Sequence, residues 1–303
     1  MYSIFRNIAN SNAPSISSER WSGWRMAKAI LLLGVPLIVG ELGSIAQQFA
    51  DTMMVGQYGT PELSASGFVN NVFNLVIFFL LGFSYSTTPI VGSFFGRKQM
   101  DDAGRTLKES IAANLLVSLV VCGLMLLLYA NIALLHQPEE LLPLIKPYFL
   151  IVLSSMPFLA VFNSLKQFSD GVGDTKTPMW IMLWGNVANI VLNFILIFGI
   201  SLPLFGFTLR LPALGLNGAG LATLISRVMM LVVLGWLIVR ARRYEPFRNG
   251  FKKQMTRLRF FHVTKVGLPI SLQLCLESSS FNIAAVMMGW LGRSEEHTSE
   301  LQS

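Results

Sequence analysis

Seven stretches of about 20 residues or more run almost free of charge, beginning near Ala29, Ala65, Ser110, Leu141, Pro178, Leu216 and Val263. At 1.5 Å per residue each is long enough to cross a hydrocarbon layer of about 30 Å as an α-helix, so the pattern predicts seven spanning helices. Between the fifth and sixth, Ser201 to Gly215 alternates around Phe205, Phe207, Leu209 and Leu211, the spacing of a short strand or hairpin. Composition supports a membrane protein. The 303 residues are 53% hydrophobic and 13% charged, whereas soluble domains average roughly 45 to 50% and about 25%. Met1 to Arg25 has neither an apolar core nor a small-residue cleavage site, so no secretory signal is expected and the first span is retained.

The net charge of +7 changes the picture only through its distribution. Lys and Arg gather before the first span, between the second and third, between the fourth and fifth (Lys166, Lys176), and most densely from Arg240 to Lys265. Nineteen stand in these alternating segments against two, Lys146 and Arg210, in the others. That asymmetry predicts a cytoplasmic N-terminus and needs no nucleic-acid partner to explain it. After Pro246, the residues Phe247, Phe251, Met255 and Leu258 recur at spacings of four, four and three among basic residues, predicting an amphipathic connector helix on an anionic leaflet. A solvated charged loop is the alternative. Cys122 and Cys275 both fall inside predicted spans and read as small buried apolar residues, without redox chemistry or cysteine-bound metal.

Polar residues inside the spans carry the candidate chemistry. Glu41, Ser44, Gln48 and Asp51 are spaced three, four and three, so they share a helical stripe unsuited to lipid. An ionisable group near mid-membrane costs roughly 2.5 to 3.5 kcal/mol on insertion scales, and its default meaning is an ion or substrate path. Asn189 and Asn193, four apart in the fifth span, add amide oxygens on one face, and Glu277 lies well inside the seventh. Carboxylate and amide oxygens suit a hard cation such as sodium, while a desolvated carboxylate can instead take up a proton. The residues alone therefore leave the ion open. Asp51 has a second reading as a helix-end cap. Glu41 has one as a structural ion pair, its candidate partner being Arg227 in the sixth span. Asn70, Asn71 and Asn74 either line the same cavity or bond between helices. Asp170-Gly171-Val172-Gly173-Asp174 lacks the length and pattern of a phosphate or calcium loop and reads as a glycine-rich turn. Enzyme chemistry finds no convergent set, since His136, His262 and His297 lie in an outer loop, at the inner edge and in the tail.

A shift of 233 residues lays the first span on the seventh, with Gly34 on Gly267, Pro36 on Pro269, Met54 on Met287, Gly56 on Gly289 and Gly59 on Gly292. The seventh span is thus expected to open a second, parallel copy of a six-span lobe. From Arg293 the chain turns abruptly to RSEEHTSELQS, which resembles a translated sequencing-adapter tail and is set aside as non-native. The expected divisions are a cytoplasmic segment (1–27), a six-helix lobe (28–240), a basic connector (241–262), the first helix of a truncated second lobe (263–292) and the tail (293–303).

With these pieces in order, the chain resembles the multidrug and toxic compound extrusion (MATE) family, in its NorM-like branch. The resemblance covers about Lys28 to Gly292. It rests on Phe49-Ala50-Asp51-Thr52-Met53-Met54-Val55-Gly56, Phe168-Ser169-Asp170-Gly171 with Thr175-Lys176, Asn189-Ile190-Val191-Leu192-Asn193, Gly218-Ala219-Gly220-Leu221-Ala222-Thr223, and Gly267-Leu268-Pro269 followed by Glu277. The resemblance implies an all-α polytopic bundle: the N-terminal lobe plus the first helix of the second lobe of a two-lobe transporter. It further implies export of amphipathic or cationic drugs by alternating access, coupled to sodium or protons, with no other cofactor. A bacterial inner-membrane location and a monomeric full-length state are expected. Carried over residue by residue, cation binding falls to Asp51, Asn189, Asn193 and Glu277, with sodium at Asp51, Asn189 and Asn193. Glu41 departs from the family pattern and joins the coupling set as a candidate. Gln48, Ser44, Asn70, Asn74 and Arg227 are candidate cavity residues. A lipid-linked oligosaccharide flippase of related architecture is the alternative; it is expected to line its cavity with more cations than Arg227 alone. A membrane enzyme or a structural membrane protein is the alternative of another class.

Overall fold

The computed structural model of the chain describes residues 23–132, 138–204 and 207–300. Residues 1–22, 133–137 with His136, 205–206 with Phe205, and 301–303 lie outside the described residues. The helices are α1 (Gly23–Tyr58), α2 (Thr60–Tyr85), α3 (Thr87–Gly96), α4 (Met100–Ala130), α5 (Leu142–Gly171), α6 (Lys176–Phe198), α7 (Leu216–Arg240), α8 (Arg248–Lys252) and α9 (Arg257–Glu300). Two 3-10 turns, Glu139–Leu141 and Arg242–Phe247, precede α5 and α8. The expected hairpin forms as β1 (Ile200–Leu204) antiparallel to β2 (Phe207–Leu211), in register from Ile200 opposite Leu211 to Leu204 opposite Phe207. Gly199 and Gly215 flank it with φ of 74° and 54°, a conformation that costs a side-chain-bearing residue more than glycine.

Six helical segments among the described residues are long and apolar enough to cross a membrane, α2 and α3 counting as one from Thr60 to Gly96. The break between α2 and α3 has a local cause. Pro89 has no N–H to give the carbonyl of Tyr85, and Ser84 and Ser86 turn their hydroxyls back onto the carbonyls of Leu81 and Phe83, at 2.7 and 2.8 Å. The seventh expected span falls within α9, whose backbone continues past Arg293 to Glu300. The chemical boundary at residue 293 is therefore not a backbone boundary.

Helix α5 is the centre of the lobe, packed against α2, α4 and α7, while α6 fits between α1 and α7, and α9 lies along α2. Two buried apolar clusters fill the interior. One joins Val69, Phe73, Leu80, Phe149, Leu153 and Ile197, with the Phe73 and Phe149 rings edge to face at 4.8 Å. The other joins Val91, Leu107, Phe168, Leu234, Tyr244 and Phe247 at the end of the bundle where the basic residues gather. Outward, α6 exposes Trp180, Trp184, Val187, Val191 and Phe194 at alternating spacings of four and three, a stripe fit for lipid.

The connector corrects the sequence expectation. Residues 241–262 do not form one amphipathic helix on the membrane surface. They fold as a 3-10 turn and the five-residue α8, break from Lys253 to Thr256, and then enter α9. Phe247 and Phe251 turn inward onto Phe168, with ring centres at 5.5 and 6.1 Å, so burial in the bundle outcompetes the leaflet for them. Met255 stays exposed, and the Leu258 side chain lies outside the described residues. Burial and the Asp174 carboxylate push the Tyr244 phenol above its usual range. It stays protonated and donates to Asp174 at 2.7 Å, tying the connector to the α5–α6 turn.

Candidate functional site

Helices α1 and α6 face each other through two polar ladders in matched register. Ser44, Gln47 and Asp51 rise along α1 at spacings of three and four, and Asn186, Asn189 and Asn193 rise along α6 at the same spacings. Three hydrogen bonds cross between them, each between residues 142 apart. Asn186 Nδ2 donates to Ser44 Oγ at 3.4 Å, Gln47 Nε2 to Asn189 Oδ1 at 2.9 Å, and Asn193 Nδ2 to Asp51 Oδ1. A constant offset is what two parallel helices with one periodicity produce. Gln47 also donates to Asp51 Oδ2 at 2.6 Å, and Asn193 to Asn189 Oδ1 at 3.1 Å.

Asp51 is half-buried, whereas Asn189 and Asn193 are 2% and 0% exposed. Bare, its charge is expensive here, and the amide N–H groups turned towards it offset part of that cost. As described, the Asn189 amide oxygen accepts from Gln47 and Asn193, bonds that the opposite amide orientation gives up. Turned end over end, its nitrogen donates to Asp51 Oδ1 at 3.0 Å and its oxygen accepts the Thr223 N–H of α7 at 3.3 Å. Asn193 Oδ1 is buried with no hydrogen-bond partner. An orphaned amide oxygen beside a carboxylate is a donor set that fits sodium, or the O–H of a protonated Asp51. No cluster of three or more His, Cys, Asp or Glu placed for a metal occurs among the described residues, so any ion held here relies on the amides.

Small residues allow the helices to come this close. A β-carbon at Gly43 would stand 2.7 Å from Leu183 Cδ2 and 3.3 Å from Asn186 Nδ2. Gly43→Val is therefore expected to push α1 off α6 and lower stability by about 1–3 kcal/mol. Thermal unfolding in detergent checks this; an unchanged midpoint would mean the contact is slack.

The remaining sequence candidates divide. Asp51, Ser44, Asn189 and Asn193 are brought together. Gln48 is not: it is exposed, and Gln47, one residue earlier, holds its expected place. Both fit the spacing on α1 alone, and only the α6 ladder decides between them. Asn186 was equally hidden, although its spacing to Asn189 and Asn193 repeats that of the α1 set. Arg227 does not pair with Glu41; its Nη1 donates to Ser155 Oγ at 2.5 Å, one turn along α7 from Thr223. Asn70 accepts from the Tyr148 hydroxyl at 3.3 Å, while Asn71 and Asn74 are exposed on α2. Glu277 stands exposed on α9, away from the ladder.

Glu41 instead meets Lys166, with Nζ to Oε1 at 3.5 Å, and Lys166 also reaches Asp170 at 3.6 Å. Lys166, expected in a loop, lies inside α5 with its side chain 9% exposed; Asp170 is 5% exposed and Glu41 56%. A buried lysine thus sits between two carboxylates at the basic end. Nothing in the periodicity marks it, because it requires α1 to pass beside the last turns of α5.

A family model described as MatE matches residues 36–195. Among curated proteins, the chain is 27% identical over 279 residues to the probable multidrug resistance protein NorM of Photorhabdus laumondii subsp. laumondii, covering 90% of this chain and 58% of that one. It is 30% identical over 245 residues to the uncharacterized transporter YisQ of Bacillus subtilis, covering 79% and 50%. Among solved structures, the eukaryotic MATE transporter AtDTX14 superposes with a TM-score of 0.72 at 19% identity, over 88% of this chain and 57% of that one. The chain spans between 50 and 58% of the length of these relatives.

Proposed function

The chain belongs to the MatE family, and from that premise we propose that it forms the first lobe of a cation-coupled antiporter exporting drugs and organic cations by alternating access. The observation that carries this reading is Asp51, held in the lobe interior against the Asn189 and Asn193 amides. The names of relatives such as the NorM proteins support drugs as cargo. In the whole carrier a second six-helix lobe completes the cavity, with α9 as its first helix, and the basic end faces the cytoplasm of a bacterial cell.

The ladder suggests how an ion is sensed. In the described arrangement amide N–H groups point at Asp51, which satisfies an ionised carboxylate. A sodium ion needs oxygens there instead, and a protonated Asp51 needs an acceptor. Either ion therefore asks the amides that donate to Asp51 in the described arrangement, those of Gln47 and Asn193, to turn. Such a turn changes the bonds that join α1 to α6 and biases the lobe between two arrangements, which is how an ion shifts an equilibrium: through unequal affinity for the two states. A cationic drug competing for the same carboxylate supplies the exchange.

Ethidium export from proteoliposomes carrying the two-lobe protein tests the function. Sodium or proton gradients should each be imposed alone, and one of them should drive export; movement under neither would contradict the proposal. Glu277, exposed where the second lobe would lie, is assigned to that lobe's ion path. Glu277→Gln should therefore reduce driven export while leaving expression unchanged, and unimpaired export would remove it from the path.

A further inference from the structure

The first turns of α9 carry chemistry that the ladder does not use. Arg259, Phe261, His262 and Lys265 line a cavity of about 460 Å³ at the basic end of the bundle. Arg259 is held in place: its Nη2 donates to Asp102 Oδ1 at 2.6 Å, and its guanidinium carbon lies 5.1 Å from the centre of the Phe94 ring. Its other terminal nitrogen, Nη1, is buried and has no hydrogen-bond partner. Leaving a charged donor buried and unsatisfied is costly, and a guanidinium fork matches phosphate oxygens.

The surrounding charge balance also favours an anion. From α4, Asp101, Asp102 and Glu109 are each already matched, by Lys253, Arg259 and Arg105. His262 and Lys265 are exposed, and Lys265 has no carboxylate within ion-pair distance among the described residues. Arg97 and Lys98 follow Phe94 at the end of α3, adding two exposed cations close in sequence to the ring that Arg259 rests on. Below the cations, Phe261, Leu268 and Leu272 are 65%, 46% and 52% exposed at helical spacings that put them on the side of Lys265. The cavity thus joins a cationic rim to an apolar stripe where α9 enters its apolar run.

We propose that this cavity binds the phosphate-bearing headgroup of an anionic phospholipid, with Arg259 and Lys265 at the phosphate and an acyl chain along Phe261, Leu268 and Leu272. Basic pockets between spanning helices at the cytoplasmic face take such headgroups. A soluble phosphate shares the chemistry of the rim but gains nothing from the stripe, which is why the lipid is favoured. The site rests on the proposed function in one respect: α9 opens the second lobe, and that lobe must leave this face to lipid.

The test uses the two-lobe carrier in neutral detergent, titrated with phosphatidylglycerol, phosphatidylcholine or inorganic phosphate and read by native mass spectrometry. Phosphatidylglycerol should bind at least about fivefold better than phosphatidylcholine, and Lys265→Gln should lower its affinity about fivefold, the worth of one interfacial cation. Phosphatidylcholine binding should not change. Because Lys265 is exposed and outside every ion pair described, the variant should keep its unfolding temperature without lipid, which separates lost binding from lost folding. Equal binding of the two lipids, or a Lys265→Gln protein that binds phosphatidylglycerol like the wild type, would overturn the site. Displacement of phosphatidylglycerol by millimolar inorganic phosphate would overturn the lipid assignment in favour of a soluble anion.

Discussion

Replacing Asp51 by Asn is expected to abolish ion-coupled export from the two-lobe carrier while leaving the protein folded and inserted. The variant keeps the size of the side chain, and its one amide oxygen can still accept from Asn193 across to α6, while its new NH2 faces the Gln47 amide, which must turn to accept it. What it removes is the charge. Losing one partner of a desolvated ion pair typically costs about 3–5 kcal/mol, about 150- to 4,000-fold in affinity. Without the charge, neither sodium nor a proton has reason to settle beside the amides, and on the proposed mechanism the Gln47 and Asn193 side chains lose the signal to turn. Export assays at matched expression check this. Coupled export at the wild-type rate would mean that Asp51 only terminates a polar face near the end of α1.

The largest effect on stability is expected at Lys166. Lys166→Met should lower stability by about 3–5 kcal/mol, since it leaves the Asp170 carboxylate, 5% exposed and with Oδ1 already lacking a partner, as an uncompensated buried charge. Asp170→Asn added to it should restore most of the loss, because the double variant has no buried charge to satisfy. Glu41 behaves differently. It is 56% exposed, so Glu41→Gln should change stability by no more than about 1 kcal/mol. Thermal unfolding of the four proteins in one detergent reads all three differences. A Lys166→Met protein as stable as the wild type would show that Asp170 is relieved by water.

The sequence made helices legible wherever apolar runs were long, and the alternation around Phe207, Leu209 and Leu211 was enough to find the hairpin. Periodicity also found Asp51, Asn189 and Asn193, since each is a costly exception within an apolar helix. It was blind to contacts set by how helices pair. Gln47 and Gln48 are equivalent on α1 until α6 is placed beside it. Lys166 reads as a loop cation until α5 is seen to run on to Gly171 with Glu41 alongside. The connector failed for a related reason: an amphipathic pattern reports an apolar face but not what covers it. For Phe247 and Phe251 the cover is the ring of Phe168, and the short turns of the connector follow from bringing them to it. Arg227 was legible as a buried cation, but its partner Ser155 is an uncharged residue that charge matching does not seek.

On the proposed mechanism, an ion and a cationic drug compete for one carboxylate on α1, the Asp51 side chain. This competition is tested most directly by equilibrium binding of a fluorescent cationic drug to the purified two-lobe carrier, titrated against sodium at fixed pH and against pH at fixed sodium, for wild type and Asp51→Asn. In the wild type, sodium or acid should weaken drug binding progressively, one of the two dominating, and in Asp51→Asn that dependence should vanish. The same dependence on sodium and pH in both proteins would contradict the account, because the competition would then take place somewhere other than Asp51.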